Sequence, residues 1–312
     1  MLDRVELVRN EKELTSGRVS QIRFKNVIAS DSDVRIKQTI DEEKNKLIKF
    51  IKTTLEEVDE NDFNYLWEGY VKILNYFMNF LFLIDQIVMY KDTYWKYIIP
   101  IFEEVHSLNV TQNRYKKEGM INYLHFSLLE IVGALLLARK SFKCLNTLLK
   151  IKKLNLKRDG TENLLDWNIQ AKFIEEKNER EANINQKRGL VVPRMGYFLK
   201  LIDTFETPFE FNIIPKVLDV DLLYYVYSLA NPLGKYFDFW YPQSIVYLRY
   251  GCSDTFKQIK YDEEFGNKIA EELFETDYNG LIAQLVNAKD HFEQNLSRGY
   301  GHFPFENPFK DF

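Results

Sequence analysis

The sequence predicts a mainly α-helical fold, either an antiparallel helical bundle or an irregular array of helical hairpins with a few short peripheral strands. Apolar residues recur at helical intervals over most of the chain between Asp33 and Ile151. Short polar breaks separate these runs, which favours antiparallel neighbours. The aromatic content is also high, with 24 Phe, 19 Tyr and 4 Trp among 312 residues, so large rings are expected to fill the core.

The overall composition is that of a globular protein. It is 46% hydrophobic and 28% charged, and a chain of this length can bury enough surface to fold without a metal. The two cysteines, Cys144 and Cys252, are too few for a disulfide framework or a structural zinc site, which predicts a reducing compartment. Met1–Glu6 lacks the apolar core of a signal peptide. We therefore expect a cytoplasmic protein.

Residues 1–30 are predicted to be an extended segment or a hairpin. Ile22 and Phe24 alternate with Arg23 and Lys25, which is the period of a strand.

Residues 31–158 are predicted to form a bundle of long helical hairpins. An amphipathic helix begins near Asp33 and ends near Val58. The next helix, from Phe63 to Val88, is apolar almost all the way round. Charged groups inside it are unfavourable in a bilayer, so it is interpreted as the buried centre of the bundle and not as a membrane span.

Two later features of this region bear on its helices. Pro100 is predicted to kink a third helix or to mark its start. Residues Gly133–Lys150 resemble the second half of a tetratricopeptide repeat, with small and large packing residues at matching positions. No second copy follows at the repeat period, and Lys140 stands where that family prefers glycine, so the segment is interpreted as an αα-hairpin.

The rest of the chain divides at a charged stretch. Residues 159–188 are predicted to be a polar connector, and residues 189–312 a mainly helical region with an aromatic tail. Asp219 and Asp221 are predicted to cap a helix that follows them. A short strand is predicted around Ile245–Leu248, and two further helices close the fold.

The familiar catalytic motifs are missing from the sequence. It contains no phosphate-binding glycine loop, no pair of His residues at zinc-protease spacing and no Gly-x-Ser-x-Gly elbow. We therefore expect no cofactor and no metal, and we lean towards a protein that is not an enzyme.

Three acidic and basic residues, Asp166, Glu175 and Lys177, support an enzymatic alternative. Their spacing resembles the metal-dependent nuclease pattern of the restriction-endonuclease-like fold. The resemblance implies that the carboxylates hold Mg²⁺ and that the lysine stabilises the attacking water or the scissile phosphate. Leu165, Ile169 and Phe173 recur every four residues, however, and favour a helix with a solvated face.

Arg298 and His302 form a second weak catalytic candidate. His as an acid or base and Arg on a phosphate could serve a ribonuclease. The two glycines between them disfavour a helix, so we favour a tail that packs its rings onto the body. The tail carries four rings that are also candidates for contact with a partner protein: Tyr300, Phe303, Phe305 and Phe309.

A basic run without acidic residues could contact phosphate or nucleic acid. It contains Arg139, Lys140, Lys143, Lys150, Lys152, Lys153, Lys157 and Arg158. The net charge of −4 gives no general attraction to nucleic acid. We favour instead a solvated face, or a partner for the acidic C-terminal helices.

The leading functional hypothesis is a non-catalytic helical module that binds another protein or itself, with no membrane involved. Its Lys-, Asn-, Ile- and Tyr-rich composition suggests an AT-rich genome and, by association, a component or regulator of a microbial or viral multi-protein system. A metal-dependent nuclease, or another enzyme acting on nucleic acid, is the alternative. A regulator that binds phosphate or nucleic acid through the basic run is the second alternative.

Overall fold

The computed structural model describes residues 23–59, 62–90, 92–108, 115–155, 160–163, 165, 194–205, 209–232, 239–246, 253–296 and 307–312. Within these ranges the chain is mostly helical, and its only strands form one two-stranded antiparallel sheet. The predicted mainly α fold with a few short strands is confirmed.

The helices and strands are named in chain order. They are α1 (Asp33–Glu57), α2 (Phe63–Tyr90), α3 (Trp95–Ser107), α4 (Tyr115–Ala138), α5 (Phe142–Leu149), β1 (Lys152–Asn155), β2 (Gly160–Asn163), α6 (Arg194–Ile202), α7 (Ile214–Ala230), α8 (Asp254–Tyr261), α9 (Glu263–Glu272) and α10 (Tyr278–Asn295). Two short 3₁₀ helices, Asp92–Tyr94 and Ser244–Val246, also belong to the described ranges.

A continuous series of packed helices links the N-terminal and C-terminal parts of the fold. α1 packs on α2, α2 on α4 and α4 on α7, while α7 also contacts α8 and α10. The buried residues from Phe24 to Phe309 form one hydrophobic cluster. The core of the described residues therefore continues across the predicted connector at 159–188.

α2 is the buried central helix that the sequence predicts, and its buried residues extend from Phe63 to Val88. By length and composition alone, α2 and the Lys117–Ala138 part of α4 could cross a membrane, but most of each apolar window is buried inside the chain. Burial against other helices accounts for their apolar character, because a helix that is hydrophobic all round must bury every face.

The N-terminal region differs from its prediction where the structure describes it. Residues 23–29 are helical and not extended. Phe24 and Ile28, one helical turn apart, are both buried in the core. The two alternating apolar residues at 22 and 24 were too short a pattern to outweigh this helical spacing, so the strand prediction was wrong for 23–29.

The prediction for Asp219 and Asp221 was also wrong, because both lie in the middle of α7 and do not cap it. The helix begins at Ile214, whose amide donates to Asn212 Oδ1 at 3.0 Å, and Pro215 occupies its first turn. Proline is favoured there because its missing N–H would have no helical partner. Asp219 is 3% exposed and Asp221 is fully buried.

The predicted helical bundle of residues 31–158 ends in a β-hairpin. α5 ends at Leu149, and β1 then pairs with β2 so that Lys153 lies opposite Glu162 and Asn155 opposite Gly160. Asp159 lies outside the described residues, so the turn predicted at Asp159-Gly160 stays a prediction, and the sequence did not predict the strand at Lys152 and Lys153. A four-residue strand is too short for its alternation to be recognised with certainty.

Three smaller differences concern helix boundaries. α3 extends from Trp95 to Ser107 with Pro100 inside it, so the alternative in which the proline marks the start of the helix was wrong. Residues Ser244–Val246 form a 3₁₀ turn where a strand was predicted. α8, which the sequence reading missed, is an eight-residue helix whose N-cap Ser253 accepts a hydrogen bond from the Phe256 amide.

The αα-hairpin formed by α4 and α5 is closed at Lys140. Its φ of 53° is the left-handed conformation that glycine normally supplies. The amide of Ser141 donates to Leu136 O at 2.9 Å, and the amide of Lys140 donates to Leu137 O at 3.1 Å, which is the Schellman pattern. A lysine therefore occupies a glycine-type position at the helix end.

Candidate functional site

Two carboxyl groups lie in the α4–α7 interface, where no solvent reaches them. Glu130 comes from α4 and Asp221 from α7, and both are fully buried. Perturbed acids of this kind are the usual markers of functional sites, although structural networks also produce them. Glu130 and Asp221 are therefore a candidate functional site.

Asp221 is stabilised as an acceptor by two N–H donors. The Trp240 indole Nε1 donates to its Oδ1 at 2.6 Å, and the Ser244 amide donates to its Oδ2 at 2.7 Å. Burial raises the pKa of Asp221 above its usual range, and these hydrogen bonds act in the opposite direction. The carboxylate thus fastens residues 239–246 to the middle of α7.

Glu130 lacks comparable support. No N–H group among the described residues donates to its carboxyl oxygens, and its side-chain hydrogen-bonding interaction is with the Asp221 carboxylate. Burial, and then the negative charge of Asp221, raise the pKa of Glu130 well above its usual range. Glu130 is therefore held as a neutral acid beside a carboxylate with two donors, because two buried like charges cannot both ionise readily.

Tyr224 closes this polar cluster on the α7 side. Its hydroxyl donates to Leu129 O at 2.8 Å, and burial, with smaller contributions from the Glu130 and Asp221 carboxyl groups, raises its pKa. A Cβ placed on Gly133 would lie 1.9 Å from the Tyr224 hydroxyl oxygen. The glycine therefore allows α4 and α7 to approach closely enough to enclose the acids.

A further buried carboxylate, Asp219, lies two residues before Asp221 on α7. Asp219 accepts hydrogen bonds from the hydroxyl of Thr255 at 2.5 Å and from the amide of Thr255 at 3.3 Å, and Lys216 Nζ lies 3.4 Å from the same oxygen. Asp219 therefore anchors the start of α8 to α7, as Asp221 anchors residues 239–246.

Two carboxyl groups with separated pKa values could in principle act as an acid and a base. Catalysis also requires a substrate within hydrogen-bonding reach, and the side chains of Glu130, Asp221 and Tyr224 are all fully enclosed. Among the described residues, no group of three or more His, Cys, Asp or Glu side chains could hold a metal ion. The arrangement is suited to fastening two helices and a loop, not to turning over a substrate.

The sequence reading missed this cluster. A signal was present, since Glu130 interrupts the apolar run Leu128-Leu129 and Ile131-Val132. A lone acid inside a buried helix needs a partner. Its partner Asp221 was assigned to a helix cap, which hid the relationship. Tyr225 and His291 were missed as well; the tyrosine hydroxyl and the histidine Nδ1 are 2.8 Å apart.

The first residue of the basic run belongs to an internal ion pair. Arg139 donates to both oxygens of Asp85, from Nε at 2.6 Å and from Nη2 at 2.8 Å. The guanidinium also lies over the Phe211 ring, 5.2 Å from its centroid. Asp85 is 3% exposed, so Arg139 neutralises a charge inside α2.

Three further residues of the run contact α9 or the turn after it. The Lys140 amine lies 5.3 Å from the Phe265 ring centroid, Lys143 Nζ is 4.0 Å from a Glu272 carboxylate oxygen, and Lys150 pairs with Glu275. That pairing lowers the pKa of the Glu275 carboxyl. Contact with the acidic C-terminal helices is therefore observed for these lysines.

The side chains of the remaining basic residues lie outside the described part of the chain. The backbone of Lys152 and Lys153 lies in β1, and Lys157 and Arg158 fall outside the described residues. Binding of phosphate or nucleic acid through the run stays a prediction, and an affinity that falls steeply with salt would be its sign.

All five weak catalytic candidates also lie outside the described residues. These are Asp166, Glu175, Lys177, Arg298 and His302, together with the tail residues Tyr300, Phe303 and Phe305. The nuclease alternative stays a prediction, and incubation of the protein with DNA and RNA in Mg²⁺ or Mn²⁺ tests it. Phe309 is described and is fully buried, so its ring faces the body of the protein.

An exposed aromatic and aliphatic surface lies at one end of α1 and α2. The Tyr90 hydroxyl donates to Asp31 at 2.7 Å, the Tyr94 hydroxyl donates to Asp33, and the Tyr94 and Tyr97 rings are stacked with centroids 6.1 Å apart. We call this region the tyrosine edge: it contains the exposed residues Val34, Met89 and Tyr90, the half-buried Tyr97 and the buried Tyr94.

Three side chains of the tyrosine edge are exposed to solvent. Val34 is 76% exposed, Met89 is 61% exposed and Tyr90 is 41% exposed. Lysines border the edge, because the amines of Lys37 and Lys96 lie 5.7 Å and 5.1 Å from the Tyr97 ring centroid.

Comparison of this chain with protein-family models, with curated proteins and with solved structures gives no match. The function proposed below is therefore inferred from the sequence and the structure of this chain.

Proposed function

We propose that this protein is a non-catalytic helical module that binds another protein through the tyrosine edge. The observation that carries the proposal is the exposure of Val34 at the start of α1 and of Met89 and Tyr90 at the end of α2, two helix ends that the Tyr90–Asp31 hydrogen bond brings together. Interfaces are enriched in Tyr and Met, and large exposed apolar groups on a soluble protein commonly mark binding sites.

Preorganisation of the rings supports this reading. Donation to Asp31 raises the pKa of Tyr90, and donation to Asp33 raises the pKa of Tyr94 to about 12, so both hydroxyls stay protonated and bonded at neutral pH. Rings that are already fixed lose little conformational entropy when a partner binds, which favours affinity. The two carboxylates therefore hold the edge in one arrangement.

Two lysines beside the tyrosine edge indicate that the partner carries a negative charge. Lys37 and Lys96 are exposed and share the Tyr97 ring. A partner segment with apolar side chains at its centre and a carboxylate at its rim would match both features. Rim charges of this kind mainly affect the rate of association and its salt dependence.

The buried polar groups support a scaffold and not an enzyme. Three buried carboxylates, those of Asp85, Asp219 and Asp221, hold helices and loops together. The basic residues of the run whose side chains are described contact residues of the same chain. We propose a cytoplasmic location because the two cysteines are too few for a disulfide framework.

A capture experiment with matched variants tests the proposal. The full chain is immobilised as wild type, as Val34→Glu with Met89→Glu, and as Tyr261→Glu, and is exposed to lysate of its own cells. Tyr261 on α8 is 76% exposed, as Val34 is, and serves as the control. A captured protein counts only when, once purified, it binds the wild type and the control with similar affinity.

We expect the edge variant to bind that partner at least tenfold more weakly, because two buried carboxylates would replace apolar contacts at the centre of the interface. Equal binding by all three proteins would show that the edge is not the interface. A wild type that captures no such partner would refute the proposal.

A further inference from the structure

The segment Asn307–Phe312 has the structure of a self-contained peptide ligand. The Asn307 side-chain oxygen accepts a hydrogen bond from the Phe309 amide at 2.9 Å, and Phe312 donates its amide to Phe309 O at 3.0 Å. Pro308 fixes φ at the first turn. The segment thus forms two consecutive turns with bonds among its own residues, independent of any strand or helix pairing.

Its central side chain fills an aromatic pocket. Phe309 is fully buried, and its ring centroid lies 5.1 Å from Phe256, 5.8 Å from Tyr225 and 6.5 Å from Phe292. The pocket is therefore built by α7, α8 and α10 together. An aromatic anchor in a pocket of rings is the usual centre of a peptide interface.

Two lysines at the rim bind the backbone of the segment. Lys289 Nζ donates to Phe312 O at 2.8 Å and to Lys310 O at 3.3 Å, and Lys260 Nζ donates to Asp311 O. The amines thus bind three successive carbonyl oxygens. These contacts depend on the path of the backbone and would be the same for a segment from another molecule.

The other end of the segment is fixed by a side-chain amide. Asn307 Nδ2 donates to Lys289 O at 3.2 Å and to Glu293 Oε1 at 3.0 Å. One six-residue segment therefore contains an aromatic anchor, bound carbonyl groups and a polar contact, as in peptide recognition by a preformed site.

The chain between the body and the segment is longer than the bound position needs. α10 ends near Leu296, and Asn307 contacts Glu293, which lies in the last turns of the same helix. The ten residues 297–306 could span about 33 Å when extended. A segment on such a tether could reach the pocket of a neighbouring molecule.

We propose that the pocket of Tyr225, Phe256 and Phe292, with Lys260 and Lys289 at its rim, is a peptide-binding site that takes the Asn307–Phe312 segment of a second copy of this chain. Each copy carries both the pocket and the ligand, so reciprocal exchange closes a two-fold dimer. The inference is independent of the tyrosine edge. Intramolecular binding has an effective concentration in the millimolar range, so exchange is expected mainly at high protein concentration.

Complementary variants of the full chain test the exchange. Phe309→Ala keeps the pocket and disables the ligand, whereas Lys260→Ala with Lys289→Ala keeps the ligand and weakens the pocket. Native mass spectrometry is applied to each variant alone and to their mixture. We expect the mixture to give a heterodimer at least tenfold more abundant than the homodimer of either variant.

A labelled peptide of sequence Asn-Pro-Phe-Lys-Asp-Phe tests the pocket directly. Fluorescence anisotropy should show at least tenfold tighter binding to the Phe309→Ala chain than to the wild type, whose pocket is occupied by its own segment. The same peptide with alanine in place of its first phenylalanine is the control and should bind at least tenfold more weakly than the unaltered peptide.

Circular dichroism establishes that each variant is folded. If Phe309→Ala does not fold, Asn307→Ala replaces it, because this change removes only the polar contacts and the turn. A folded ligand-defective chain that binds no peptide would overturn the proposal, and so would peptide binding without a heterodimer in the mixture.

Discussion

Glu130 illustrates how burial acts at the scale of one residue. It remains protonated in the folded chain because burial and Asp221 raise its pKa, whereas in the unfolded chain it ionises at its ordinary pKa. Between those two pKa values the folded state holds one more proton, so its stability falls as pH rises. The contribution is fully present below the unfolded pKa.

We predict that Glu130→Gln reduces this pH dependence, because glutamine is neutral at every pH and has nearly the same shape. The free energy of unfolding of the wild type should fall by up to about 1.4 kcal/mol per pH unit from this group, and the variant should lose that slope. Urea unfolding between pH 5 and pH 9 measures it. Glu271→Gln, at an exposed position of α9, should leave the slope unchanged. A slope in the Glu130 variant equal to that of the wild type would contradict the assignment.

Lys140 shows a local conflict between backbone and side chain. At φ 53° a side chain with a Cβ is strained by about 1 kcal/mol, although the amine gains its contact with Phe265. We predict that Lys140→Gly is more stable than Lys140→Ala by about 1 kcal/mol, the reverse of their ranking inside a helix. Thermal unfolding of both variants measures the difference, and an alanine variant of equal or greater stability would show that the strain is absent.

At the scale of elements, Arg139 and Asp85 join the end of α4 to the interior of α2. Removing one partner of a buried ion pair leaves an uncompensated charge, which costs about 3–5 kcal/mol. The arginine is partly exposed while the aspartate is buried, with side-chain exposures of 28% and 4%. The penalty therefore depends on which partner is removed.

We predict that Arg139→Ala destabilises the protein more than Asp85→Asn, because the first change leaves a buried carboxylate and the second leaves an arginine that water can reach. Chemical denaturation of both single variants gives the two free energies. Arg139→Lys should recover only part of the loss, since an ammonium cannot make the bidentate contact. A larger loss in Asp85→Asn would contradict this account.

Element prediction from the sequence succeeded where the periodicity was long. α1, α2 and α10 repeat their apolar residues over several turns, and local sequence decides such helices. α8 was missed because eight residues give too few repeats, and Asp221 was misassigned because an aspartate before an apolar run looks like a cap. The partner of Glu130 lies 91 residues further along the chain, at Asp221, and no local pattern encodes such a pairing.

At the scale of the whole molecule, the α4–α7 interface joins the N-terminal helices to the C-terminal ones. Gly133 allows the approach, since a Cβ there would lie 1.9 Å from the Tyr224 hydroxyl oxygen. Both parts should therefore unfold together in one cooperative transition.

We predict that Gly133→Ala destabilises the whole protein by about 1–3 kcal/mol, although alanine is the better helix former. Adding Tyr224→Phe should recover part of this loss, because it removes the atom that the new methyl group meets. A double-mutant cycle measured by thermal unfolding, with Tyr224→Phe alone as the fourth protein, gives the coupling. Additive effects would show that the two residues do not meet.

The acid pair enclosed by α4 and α7 also has a calorimetric consequence. At a pH between the unfolded and folded pKa values of Glu130, refolding removes a proton from the buffer, and unfolding returns it. The heat of unfolding should therefore differ between buffers by the difference in their ionisation enthalpies. Calorimetry in two buffers would therefore detect the uptake of one proton by Glu130 on folding.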